Sequence, residues 1–95
     1  KTMLPQADSA LPGGDLVAEG LADLAEGKET AAALLVSIGA PRLRRLGLPL
    51  GEPLGDPESR LYALLSREDQ DGAHSRYNAL IRRLVSYERA AECGR

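Results

Sequence analysis

Apolar residues between Asp71 and Glu92 recur at helical spacing over six turns. At 100° per residue, Ala73, Tyr77, Leu80, Ile81, Leu84, Val85, Tyr87 and Ala91 fall on one stripe roughly 160° wide. That is broader than a coiled-coil seam, so the pattern predicts a long amphipathic helix that packs against at least two neighbours. Its length of about 20 residues gives a rod of ~30 Å. Asp71 is the expected N-terminal cap and Gly94 the expected stop. Arg76 and Arg83 border the stripe and are expected to pair with acids of neighbouring helices. Arg82 and Arg89 lie on the far side with Ser75 and Ser86, facing solvent.

Four shorter elements precede it. Residues 1–14 hold two prolines and two glycines and read as a flexible or docking arm, with residues 15–95 forming a single helical domain. Asp15 to about Glu26 is a helix with Leu16, Val17, Leu21 and Leu24 inside and Glu19, Asp23 and Glu26 outside. Gly20 falls on its inner side, which predicts close approach to another helix. Thr30–Ala40 carries no charge and is apolar nearly all round, yet is too short to span a bilayer, so it is predicted as the buried central helix. Gly39 closes it, and Pro41 opens a short helix to Leu46, where its missing N–H costs nothing. Residues 47–57 form a connector of glycine, proline and leucine, expected to lie along the body. Asp56-Pro57-Glu58 then reads as cap, first helical residue and first-turn acid of a helix reaching about Arg67. No strand pattern and no internal repeat is present, and the predicted fold class is all-α: about five helices in a small orthogonal or bundle-like domain.

Composition supports this reading. Of the 95 residues, 43% are hydrophobic and only three are aromatic, all tyrosine. Seventeen leucines therefore have to supply most of the core, and leucine and alanine favour helices. The net charge of −2 gives no global field toward nucleic acid or membrane. A lone cysteine, Cys93, excludes an internal disulfide and fits a reducing, cytoplasmic setting. No stretch reads as a signal peptide or a membrane span, and the start at Lys1 rather than Met fits a trimmed chain.

Chemistry-bearing candidates are few. Arg42, Arg44 and Arg45, if joined by Arg82 and Arg83, would make an anion- or partner-binding patch, because guanidinium forks pair with carboxylates and phosphates in two-pronged fashion. The competing expectation is a solvated face whose arginines pair with the acidic first thirty residues. Residues 31–46 have helix-turn-helix character around Gly39-Ala40-Pro41, but the second helix is short for a recognition helix and the chain is acidic overall. His74 follows Glu68, Asp69 and Asp71, yet one histidine without a second at helical spacing reads as a surface residue rather than a ligand. Tyr77 and Tyr87 read as core residues with wet hydroxyls, and Asn78 at the stripe's edge is placed to cap a neighbouring turn. No phosphate-binding glycine loop and no nucleophile–histidine pairing is present, and no cofactor or metal is expected.

Function is ranked accordingly. The first expectation is a protein-interaction module, self-associating as a homodimer or other homo-oligomer. Leu4, Leu11, Leu48, Leu50 and Leu54 in irregular segments predict more apolar surface than one small bundle hides. The second is a nucleic-acid-associated regulator acting through the arginine patch, and the third a metal- or histidine-dependent enzyme.

Overall fold

The computed structural model of the chain describes residues 10–93, and these form five helices and no strand. In chain order they are α1 (Gly14–Ala25), α2 (Ala31–Ile38), α3 (Ala40–Arg45), α4 (Pro57–Glu68) and α5 (Ala73–Cys93). None is long and apolar enough to cross a membrane. The expected stop at Gly94, Leu4 and most of the expected arm lie outside the described residues.

α2 is the centre, as its uncharged sequence predicts. Ala32 through Ser37 are all buried, with α1 and α4 packed against it. Thr30 starts it: the hydroxyl accepts from the Ala33 N–H at 3.1 Å and donates to Asp23 Oδ2 at 2.7 Å. One side chain therefore caps α2 and ties it to the end of α1. Gly27 makes the reversal between them at φ 75°, and the Lys28 N–H closes back onto the Asp23 carbonyl at 2.9 Å. α1 then lies so close to α2 that a Cβ on Gly20 would sit 2.7 Å from Val36 Cγ1 and closer still to the Ala32 carbonyl oxygen. Val17 and Leu24 flank this contact and are buried, as are Leu61 and Leu65 of α4 on another side of α2. Burying an aliphatic side chain contributes about 1.5–3 kcal/mol, so this apolar stack dominates the stability of the fold.

α5 spans the assembly, with Ala73, Leu84 and Tyr87 buried and Tyr77, Leu80, Ile81, Val85 and Ala91 half-buried. α1 reaches it through Gly13, at φ 73°, where a Cβ would lie 2.5 Å from the Arg83 carbonyl oxygen. The two glycines at the end of the expected arm thus make a fitted contact: Gly14 is buried as the first residue of the helix.

Two caps differ from expectation. Asp56 takes a left-handed backbone, φ 47° and ψ 50°, and its side chain caps nothing. A capping side chain needs the extended backbone to reach the first-turn N–H groups. Only the Asp56 carbonyl enters the helix, accepting from the Arg60 N–H at 3.0 Å. α5 opens at Ala73, with Gly72 supplying the first carbonyl to the Arg76 N–H at 3.0 Å. Asp71 is thus exposed in the turn, and Asp69 is the acid that accepts there, from the Gly72 N–H at 3.1 Å.

The connector follows the body, as expected, and hides its leucines better than expected. Leu48 is buried, and Leu11, Leu50 and Leu54 are half-buried. Buried Ser37 is the peg: its hydroxyl donates to the Ala33 carbonyl at 2.8 Å and accepts from the Leu54 N–H at 3.0 Å. Arg44 and Arg60 donate to the carbonyls of Gly51 and Gly55, each at 2.9 Å. Backbone groups of a loop this long need such partners before its leucines can be covered. Among the described residues, Tyr62 is the only large apolar side chain that is more than about a third exposed, at 40%.

Candidate interaction surface between α3 and α5

The five arginines of the sequence patch go to different places. Arg42 projects from α3 to α5, hydrogen-bonding Glu92 and lying 3.7 Å from Glu88. Arg45 lies beside it, lining the same hollow of about 310 Å³. Arg44 turns back to the connector. Arg82 and Arg83 line a separate hollow with Pro12, Gly13, Ala79 and Ser86, and Arg83 pairs with Asp15 of α1 at 3.0 Å. Pairing with neighbouring acids is thus the rule for the stripe-border arginines: Arg76 likewise meets Glu68 at 3.3 Å. The acidic first helix engages Arg83, whereas Arg42 finds its acids on α5.

Between α3 and α5 runs a shallow groove. Ile38, Pro41, Ile81, Leu84 and Val85 make its apolar lining, with Gly39 at its base and Arg42, Arg45 and Glu88 around it. The chain can build it because Gly39 ends α2 without a side chain. A Cβ there would lie 2.9 Å from Glu88 Oε2 and 3.1 Å from Leu84 Cδ2. α3, only six residues long, therefore leaves Ile81 and Val85 partly uncovered.

Glu88 is the residue that sequence reasoning missed. It is only 5% exposed, in the middle of the α5 stripe. The signal was present: at 100° per residue Glu88 falls between Leu84 and Ile81, inside the apolar arc rather than beside it. Burial raises its carboxyl above the ordinary range, and Glu92 adds to the rise, while Arg42 and Arg45 act to lower it. The net direction is upward, so the arginines only partly compensate for lost hydration. Arg42 in turn is held above its ordinary value, first by its hydrogen bond to Glu92 and further by the charges of Glu92 and Glu88.

The remaining candidates cluster at the other end of α5. His74 is exposed, its Nε2 3.2 Å from the Asn78 amide nitrogen one turn on. Asn78 thus meets the imidazole rather than capping a turn. Tyr62 stacks obliquely on Tyr77, ring centroids 5.7 Å apart, and on His74 at 6.5 Å. Burial, with a smaller contribution from Glu58, raises the Tyr77 phenol. Among the described residues no group of three histidine, cysteine or acidic side chains is arranged to hold a metal ion. Comparison with protein-family models, with curated proteins and with solved structures finds no match to this chain, so the functional reading rests on its own surfaces.

Proposed function

We propose that this chain is a helical protein-interaction module that binds another polypeptide, a second copy of itself first, through the face of α5 that α3 leaves partly uncovered. The observation that carries the reading is the α3–α5 groove: an apolar lining at the surface, edged by charged side chains. Apolar centre with charged edge is the anatomy of a protein interface. The polar groups there support binding rather than chemistry. Arg42, Glu88 and Glu92 are engaged with one another, whereas catalysis asks for polar groups converging on a place a reacting atom occupies. The reading does not lean on the connector leucines, which the fold itself covers.

Multi-angle light scattering across a concentration series tests it. The expected result is a mass rising with concentration above the 10.1 kDa of one chain. A strict monomer at the highest concentration would contradict self-association.

A further inference from the structure

The groove has a far bank, and that bank matches another surface of the same chain. On α5, Val85 faces the groove with Arg82 three residues before it and Arg89 four residues after it. Both arginines are exposed, and among the described residues neither has a hydrogen-bonding or ionic partner. α1 and its C-cap carry the same spacing in opposite charge: Glu19 and Ala22 in the helix and Glu26 capping its end, all exposed. In each case the two charges are seven residues apart, ~10.5 Å along the axis, with the small or apolar residue between them on the same face. The match extends one step further, since Ala18 stands to Glu19 as groove-lining Ile81 stands to Arg82. α1 is also uniformly acidic, with Asp15, Glu19, Asp23 and Glu26 and no base in residues 14–26.

We propose that the α5 ridge bordering the groove receives α1 of a second copy, aligned so that Glu19 meets Arg82, Ala22 covers Val85 at the groove's edge, and Glu26 meets Arg89. The inference rests on the self-association reading and specifies its mode. A chain cannot cover its own ridge in this way. Its α1 is seated on α2 through Gly20 and meets α5 at Arg83, through the Gly13 contact and the Asp15 pair. Arg83 lies roughly 160° around α5 from Val85. The contact therefore joins two different patches on two copies; engaged reciprocally it closes a two-fold pair, and engaged once per copy it repeats head to tail. Glu19 has no partner within the described residues, and Glu26 gives up only an exposed pair with Lys28, which is worth little.

Charge exchange tests this by light scattering. Glu19→Arg with Glu26→Arg, and separately Arg82→Glu with Arg89→Glu, are each expected to weaken association at least ~10-fold, because like charges then face each other across the contact. An equimolar mixture of the two variants is expected to regain mass, since one keeps an acidic α1 and the other a basic α5. All four sites are exposed, and far-UV circular dichroism checks that each variant is folded. If a variant does not fold, wild-type mass against NaCl serves instead, with association expected to fall as salt rises. Association that survives either double reversal, a mixture that stays monomeric, or salt-insensitive association overturns this mode while leaving self-association standing. A strictly monomeric wild type removes both.

Discussion

The α1–α2 corner and the α3–α5 junction are both helix contacts set by a glycine, and they are held together in opposite ways. At the corner, Gly20 lets backbone meet backbone, Val17 and Leu24 bury completely or nearly so, and the polar groups of Asp23 and Thr30 satisfy each other. At the junction, Gly39 makes room for a carboxylate. Glu88 is buried with Arg42 at 3.7 Å, and α3 covers only part of the apolar face beneath it. The first contact is stabilised mainly by close packing, which has little tolerance for added volume. The second contains an incompletely compensated buried charge, which generally weakens rather than strengthens a contact. On the proposed reading, the first contact holds the fold and the second borders the face at which a partner would dock.

The largest expected effect breaks the corner. Gly20→Ala gains about 1 kcal/mol in helix propensity but drives a Cβ into the Ala32 carbonyl and Val36. The backbone of a buried helix cannot step aside cheaply, so overpacking wins, with a net loss of roughly 1–3 kcal/mol. Urea denaturation monitored by circular dichroism should show the midpoint fall. An unchanged or higher midpoint would mean that the two helices are not in this contact.

A smaller effect of opposite sign is expected at the junction. Glu88→Gln keeps the shape and removes the charge, so it should raise stability at neutral pH by less than Gly20→Ala lowers it. The pH profile sharpens the point. The folded-state carboxyl lies above its unfolded value of about 4.5, so the folded protein binds the extra proton in the window between the two. The contribution of Glu88 therefore grows as pH falls from neutral through that window, levels off below it, and is lost as pH rises. The difference between wild type and Glu88→Gln isolates this one group and is the quantity to plot. Its stabilising effect should shrink toward acid pH. An effect constant with pH, or growing toward acid, would contradict an upward-shifted Glu88.

Much of this contrast was legible in the sequence, for reasons that differ by element. The uncharged run of α2 leaves burial as its only stable environment, and a glycine on the inner side of α1 has no better explanation than close approach. The arginines on the stripe's border found their acids because a helix edge is where neighbours arrive. What was not legible depended on backbone detail or on distant segments. The capping pattern at Asp56 did not reveal the left-handed turn that turns it away from its helix, and the turn before α5 gave its side-chain bond to Asp69 rather than Asp71. The connector leucines looked surplus because nothing local announces that Ser37, seventeen residues upstream, will hold the Leu54 N–H and fold the loop inward. Nor does spacing along the chain reveal that Arg42 and Arg45 share a groove while Arg82 and Arg83 border a separate hollow. Glu88 is the instructive case, since its position on the wheel placed it inside the apolar arc and only its charge argued otherwise.

The central claim is that the groove over Val85 is where this protein meets its partner. Val85→Glu places an acid in the middle of that face without disturbing the buried side of α5, where Leu84 and Tyr87 sit. Sedimentation equilibrium on wild type and variant, with circular dichroism to establish that both are folded, is the most direct measurement. The account predicts a wild type that associates with rising concentration and a folded variant that remains at the mass of one chain. A variant that associates as strongly as wild type, or a wild type that never exceeds one chain, would contradict it.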